Sequence, residues 1–387
     1  TLCNLITINL LAEKKITTLY RILYWSGLAF GILIKGPIIL IFTFIPLLVF
    51  SIIKKINLFR TLFSPLAFLI FFSICIPWFV LITIESNGLF WYEAIGHDLL
   101  KKVSSGQESH GFPPGYYIIT TLILFWPGSV FLFPAIKSIY RKFKKIDKIP
   151  DVTLFLLMSF FVPYLIYEII PTKLPHYIFP AYLPISIIIS KYIHEYGTDK
   201  KLSKKYLPLI FVYPIAVISL ISFSIIEYSE VDIIFFSIIF LLSFVFIIIW
   251  KTINRSFKEV LMTFALFQLS FYLILVFFIK DRIDTLWISN KINSVVDFNL
   301  SKYDSIYNFG FNEPSLVFLT SHKSKKLHPQ NLDADYKNSN KILFIVTEEL
   351  SENFNDNILS DFRLINEFEG FNYSKGKDVK FLIFDNI

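Results

Sequence analysis

One polar stretch, Glu85 to Pro114, reads ESNGLFWYEAIGHDLLKKVSSGQESHGFPP and lies between two strongly apolar runs. It carries Glu93, His97, Asp98, Lys101, Lys102, Glu108 and His110, the densest set of titratable groups in the first 280 residues outside short basic connectors. Leu89 to Val103 reads as a short helix along a membrane interface, with Phe90, Trp91 and Tyr92 as anchors at headgroup depth. On such a helix Glu93, His97 and Lys101 follow one another at four-residue spacing and share a face. A carboxylate, an imidazole and an ammonium on one stripe suit a divalent metal with a phosphate, or a phosphate held directly. The same spacing also describes an amphipathic surface helix with an acid and base ladder, because two candidate ligands do not make a metal site.

Further candidates sit at other connectors. His110, in the turn-rich SSGQESHGFPP, either binds substrate and carries a proton or caps the entry of the next helix. Lys173 and His176 lie in PTKLPHY, which ends at Tyr177. A lysine at membrane depth costs free energy unless it meets an anion or snorkels to the headgroups. Lys35, in Ile34-Lys35-Gly36-Pro37, interrupts a helical hairpin and either faces a cavity or snorkels. If these three connectors converge, they make a pocket for a lipid phosphate or pyrophosphate.

The elements that would position these residues are set by composition. With 55% hydrophobic and 17% charged residues and a mean hydropathy of +0.60, the first two thirds cannot be an ordinary soluble domain. The net charge of +7 lies in short clusters between apolar runs, where retention on the cytoplasmic side explains it better than nucleic acid does. Cys3 and Cys75 fall inside apolar runs and suggest neither a disulfide framework nor a metal cage. The opening run, Thr1 to Ala12, is too short to cross a bilayer and lacks signal-peptide features, so the sequence is expected to begin inside a helix.

Spanning runs are expected near Ile16 to Ile34, Ile38 to Ile53, Leu62 to Ile84, Tyr116 to Ile136, Val152 to Ile170, Tyr177 to Ile193, Leu207 to Ile226, Ile233 to Trp250 and Val260 to Ile279. Basic connectors occur at every second position: Lys14 and Lys15, Lys54 and Lys55, the run Lys137 to Lys148, the run Lys200 to Lys205, and Lys251 with Arg255 and Lys258. The positive-inside rule puts these inside and the alternate connectors, with the polar stretch among them, outside. The chain is thus expected to be a polytopic α-helical membrane protein over 1–279, with a small α/β extramembrane domain over 280–387. In that domain, strands are expected at Ser305 to Phe309, Ser315 to Leu319, Lys341 to Val346 and Val379 to Phe384, and helices near Asp284 to Val296 and Thr347 to Leu359. The sequence holds no internal repeat and no Gly-rich phosphate loop, so no nucleotide cofactor is expected.

The ordered strings GLAFGILIKGP, PWFVLI, WYEAIGHDLLKKVSSGQESHGFPPGYYI and PTKLPHYIFPAYLP, with EGFNYSKGKDVKFLIFD near the C-terminus, resemble bacterial glycosyltransferases related to lipid A aminoarabinose transferase and protein O-mannosyltransferase. The resemblance covers nearly the whole chain and implies the GT-C membrane fold. It implies transfer of a sugar from a polyprenyl-phosphate donor to a glycolipid such as lipid A, or to a protein, at the periplasmic face of the bacterial inner membrane. Residue by residue, it implies that His97 sits where the family has a histidine associated with a divalent metal near the donor phosphate, with Glu93 beside it. It places Lys101 where relatives often have a phosphate-contacting arginine. It matches His110 to a histidine ahead of an aromatic pair, here Tyr116 and Tyr117, and Lys173 and Tyr177 to a string that lines the cavity. The family's acidic Asp-Glu motif and its EKPP-like string have no counterpart here, so the catalytic carboxylates are expected ahead of Thr1. The rival readings, a transporter or flippase of lipid-linked precursors and a membrane scaffold, predict inverted repeats and an inert interface helix respectively.

Overall fold

The computed structural model describes residues 1–100, 112–196, 207–228, 240, 243–245, 247, 256–274, 276–277, 287–297, 303–311, 313–320, 324–326, 341–351, 362–372 and 376–386. They fall into two compact units, Thr1–Ile218 with Leu242–Phe267, and Ser219–Leu241 with Gln268–Ile387. The composition change near Lys280 therefore does not mark the division. Neighbouring helix ends group with the second unit because packing, not hydropathy, defines a compact unit.

The first unit is helical. Its elements are α1 (Leu2–Glu13), α2 (Thr18–Lys35), α3 (Ile39–Lys54), α4 (Leu58–Leu62), α5 (Pro65–Glu85), α6 (Leu89–Trp91, continued as a π-helix over Tyr92–Leu99), α7 (Tyr116–Leu124), α8 (Gly128–Phe143), α9 (Asp151–Ile169) and α10 (Phe179–Tyr196), with the N-terminal parts of α11 (Leu207–Tyr228) and α12 (Phe257–Ile274), whose C-terminal turns are counted in the second unit. Helix covers every expected apolar run except Ile233 to Trp250, which lies almost wholly outside the described residues. Pro46, Pro77, Pro134, Pro163, Pro184 and Pro214 all sit inside helices. Such prolines are commoner in membrane helices than in soluble ones, because neighbouring groups re-satisfy the freed carbonyls.

By length and hydropathy Thr18–Lys54, Pro65–Glu85 and Asp151–Ile169 suffice to cross a bilayer. The first of these, as one straight helix of 37 residues, would be about 55 Å long against a hydrocarbon core of about 30 Å. It is two helices. Gly36 takes a φ of +67° and a 3₁₀ turn over Gly36–Ile38 follows. A Cβ on Gly31 would stand 2.8 Å from the Ile39 side chain, whereas a straight helix would hold those two residues about 12 Å apart. The expected single span Tyr116 to Ile136 is corrected in a different way. It breaks into α7 and α8, bent by 114°, at Trp126-Pro127, because proline lacks the N–H that would continue the helical ladder.

Side chains then bind the bundle. Tyr24 and Leu28 of α2, Leu47 and Phe50 of α3, and Leu154 and Phe155 of α9 share a buried cluster with Ile6 and Leu10 of α1. Trp25 Nε1 donates to the Leu62 carbonyl at 3.0 Å and Arg21 Nε to that of Thr61 at 3.0 Å. Cys3 and Cys75 are free and buried.

The second unit contains a five-stranded sheet of order β2-β1-β3-β5-β4. Its strands are β1 (Ser305–Phe309), β2 (Ser324–Lys326), β3 (Ile342–Thr347), β4 (Arg363–Asn372) and β5 (Lys377–Asp385). Strands β2, β1 and β3 are parallel, and β5 and β4 are antiparallel. Alternation divides β1 and β3 between two cores. Ile306, Leu343 and Ile345 pack with Ile288 and Ile292 of α13 (Ile288–Asp297) on one face, and Tyr307, Phe309, Ile342 and Phe344 pack on the other. Burial on both faces is what parallel strands require. The expected strand at Ser315 to Leu319 is instead helix α14 (Pro314–Leu319). Pro314 at its first position presets the helical φ, and the β1-to-β2 crossover needs a helix there. The expected helix Thr347 to Leu359 is present as α15 (Glu348–Ser351), and its remainder lies outside the described residues.

Candidate functional site

The polar stretch begins at a tight reversal. Asn87 and Gly88 have φ of +48° and +80°, and Gly88 N donates to the Thr83 carbonyl at 2.9 Å, closing the end of α5. Ser86 Oγ accepts from Phe90 N at 3.2 Å and starts α6. Aromatic contacts fix α6 against α5. Trp78 meets Phe90 edge to face at 5.3 Å and Phe79 meets Trp91 likewise at 5.3 Å. Trp91 Nε1 also donates to Thr83 Oγ1 at 2.7 Å. Phe90 and Trp91 thus dock α6 on α5, and with Trp78 and Phe79 they build a wall that sequence reasoning missed.

That wall belongs to a cavity of about 440 Å³. Trp78, Phe79, Phe90, Trp91 and Ala94 line one side and Lys35, Gly36 and Pro37 the other. Lys35 thus lines a cavity and is itself exposed. The signal was present in the sequence as two aromatic strings, PWF and LFWY, but their meeting needed the fold.

Tyr92 to Leu99 is wound as a π-helix, not the α-helix expected over Leu89 to Val103. Glu93 is exposed on it, and the side chains of 97–99, with Lys101 and His110, lie outside the described residues. The π register bonds each N–H to the carbonyl five residues back, and a turn of between four and five residues still leaves positions 93 and 97 near one face. Among the described residues no three His, Cys, Asp or Glu side chains gather as metal ligands. The described residues therefore do not assemble a metal centre around Glu93, and no chemical step is assigned to one.

The far end of the stretch is stitched to the third outward connector. Phe112 N donates to the Pro171 carbonyl at 3.3 Å. The Glu168 carboxylate accepts from Gly115 N at 2.9 Å and from Tyr117 N at 3.0 Å, capping the start of α7. The buried Tyr117 hydroxyl donates to the Leu174 carbonyl at 3.2 Å. Lys173 turns inward. Its side chain is 1% exposed, and its ammonium donates to the carbonyls of Glu168 at 2.9 Å and Ile170 at 2.6 Å, the open end of α9. Burial pulls its pKa below the ordinary lysine value, and the Glu168 carboxylate opposes that pull. Lys173 therefore braces the connector. Its position left an anion contact or snorkelling to the headgroups open, and in the structure carbonyl oxygens meet the ammonium at a helix C-terminus.

His176 and Tyr177 follow the brace. Their rings meet edge to face at 4.9 Å, and Tyr177 packs on Tyr167 at 5.5 Å. Burial lowers the His176 pKa, and the positive charge of Lys35 lowers it further. The first and third outward connectors are therefore close enough to interact electrostatically. The fold brings Lys35, α6, Phe112 to Tyr117 and the 171–177 connector to one end of the first unit. Glu168, the only carboxylate placed in this stitching among the described residues, is occupied with backbone N–H groups. The recess itself is walled by aromatic rings and, among the described residues, carries one cation, Lys35.

No known protein-family profile matches the chain. It is 29% identical over 164 residues to the undecaprenyl phosphate-alpha-4-amino-4-deoxy-L-arabinose arabinosyl transferase of Photorhabdus laumondii, covering 42% of this chain and 28% of that protein. It is 30% identical over 185 residues to transferase 2 of that name from Proteus mirabilis, covering 47% of this chain and 32% of the relative. The matched segments thus span about a third of these relatives' length. The crystal structure of ArnT from Cupriavidus metallidurans bound to undecaprenyl phosphate superposes with a TM-score of 0.62 at 14% identity, over 95% of this chain and 69% of that one. By sequence over nearly half its length and by fold over almost all of it, this chain is similar to the aminoarabinosyl transferases, and its architecture is the GT-C membrane glycosyltransferase fold with a small C-terminal sheet domain.

Proposed function

We propose that the protein is an integral-membrane glycosyltransferase that moves a sugar from a polyprenyl-phosphate donor to a glycolipid of the lipid A type or to a protein. The observation that carries this reading is the cavity between the Lys35–Pro37 connector and the aromatic wall of α5 and α6, with Lys35 on its lining and acting electrostatically on His176 in the 171–177 connector. The similarity to transferases named for undecaprenyl phosphate-linked aminoarabinose supports it. On this reading the recess lies at the periplasmic face of a bacterial inner membrane, with the sheet domain on the same side, because the basic connectors lie on the other.

The reaction is a displacement at the anomeric carbon. The acceptor oxygen forms the new bond, the bond from C1 to the phosphate oxygen breaks, and the acceptor's proton passes to a general base. Charge grows on the departing polyprenyl phosphate, so fixed cations aimed at it lower the barrier. Lys35, which lines the cavity, is assigned to this role together with Lys101, His97 and His110. Lys173 and Glu168 hold the frame, and Tyr177 lines it.

The test uses the full-length protein in proteoliposomes with a polyprenyl-phosphate sugar. His97→Ala and Lys101→Ala are expected to lower transfer at least tenfold, on the order of one lost transition-state hydrogen bond. Unchanged transfer in both, at normal expression, would overturn the site assignment. Movement of the donor across the bilayer without sugar transfer would identify a flippase instead.

A further inference from the structure

A second recess lies at the opposite, basic end of the helical unit, and no step of sugar transfer uses it. The last turns of α8 and α10 and the first turn of α9 enclose a groove of about 160 Å³. Ala135, Ile139, Leu156 and Ile188 form its apolar floor, and Lys142, Lys191 and Glu195 stand at its mouth. Both ammonium groups share the one carboxylate, at 3.7 Å from Lys142 and 3.8 Å from Lys191. A single carboxylate leaves one positive charge uncompensated there.

The surroundings add to that charge. Lys137, Arg141, Lys144, Lys145 and Lys148 are exposed on the end of α8 and the turn after it, with only Asp147 among them. The turn itself is fixed, because Lys54 Nζ donates to the carbonyls of Asp147 at 3.0 Å and Ile149 at 2.7 Å and pairs with Asp151 at 2.9 Å. Lys54 is thereby occupied, and Asp151 is neutralised.

An apolar slot between helices that opens at headgroup depth beneath a ring of lysines matches one kind of occupant. We propose that this groove binds one anionic phospholipid, with an acyl chain along Ala135, Ile139, Leu156 and Ile188 and the headgroup phosphate on Lys142 and Lys191. The charge complementarity decides against a zwitterionic lipid. Basic pockets between spanning helices select anionic headgroups, and each lysine near the surface contributes about 1 kcal/mol, roughly a fivefold change in affinity. The assignment does not depend on the transfer reaction, since its readout is lipid retention.

The experiment measures lipid retained by the purified full-length protein after exchange into vesicles of phosphatidylethanolamine with or without phosphatidylglycerol. Wild-type protein is expected to retain phosphatidylglycerol preferentially. The double substitution Lys142→Gln with Lys191→Gln should weaken that retention about thirtyfold, and Lys142→Arg with Lys191→Arg should preserve it. Ile139→Trp, which fills the slot and leaves the charges, should also abolish it. A thermal melt in phosphatidylethanolamine alone checks that each variant is folded. Equal retention of the two lipids, or retention unchanged in a folded double variant, would overturn the proposal. So would displacement of the lipid by millimolar inorganic phosphate, which would reveal a site for the free anion.

Discussion

At the scale of single residues, the frame of the recess depends on two charged side chains that spend their charge on backbone. Glu168 meets two N–H groups at the start of α7, and Lys173 meets two carbonyls at the end of α9. Removing either leaves helix-end groups without partners, the costly side of hydrogen-bond energetics. Glu168→Ala is therefore expected to lower stability by about 1–2 kcal/mol, the range for a lost helix cap, read as a fall in melting temperature in detergent. A second outcome concerns His176, whose pKa lies below the ordinary 6.5 through burial and the charge of Lys35. Between the two values the unfolded chain binds the extra proton. This histidine's contribution to stability is then complete above about pH 6.5 and is lost as pH falls toward the depressed value. Lys35→Met should raise the His176 pKa toward 6.5 and shrink that acid loss, as histidine NMR titration and melts between pH 5 and 7 would report. An unmoved titration would separate Lys35 from His176.

At the scale of elements, short irregular pieces do the positioning. The Gly36 turn separates α2 from α3 and sets Lys35 at the cavity, and the Asn87-Gly88 turn lays α6 on α5. A Cβ at Gly36 would meet no atom within 4 Å. With ψ at −156° its backbone lies in a region that essentially only glycine enters, so Gly36→Ala and Gly36→Asn alike should cost about 1–3 kcal/mol. The two variants' melting temperatures test this, and an unchanged melting temperature in either would mean that the turn relaxes to another conformation. The π register of Tyr92–Leu99 is the element-scale result that sequence periodicity could not supply. Four-residue and five-residue repeats describe the same string of residues, and the choice between them comes from how Phe90 and Trp91 dock on Trp78 and Phe79. The helix at Pro314–Leu319 makes the same point. PSLVFL has the apolar content of a strand, and the parallel pairing of β1 with β2 on either side of it decides for helix.

At the scale of the molecule, a bundle with its basic connectors at one end and a recess at the other orients the chain in a bilayer. A reporter fused after Ile279, such as alkaline phosphatase against green fluorescent protein, is expected to read periplasmic. A cytoplasmic reading would remove the orientation and the proposed reaction together. In the proposed orientation the two recesses face different leaflets. By itself the sequence determined the membrane class, the positions of the apolar helices and the identity of the polar connectors. Hydropathy, charge alternation and turn chemistry are local properties, and each can be read from a short window. What only the tertiary structure decided is where the charges go. Lys173 and Lys35 look alike in the sequence, each a lone lysine between apolar runs beside proline. In the fold Lys173 finds the open carbonyls of α9 and is buried, while Lys35 meets no such partner among the described residues and lines the cavity. The difference lies in which helix end comes within reach of each ammonium, and that is settled by packing between residues far apart in the chain.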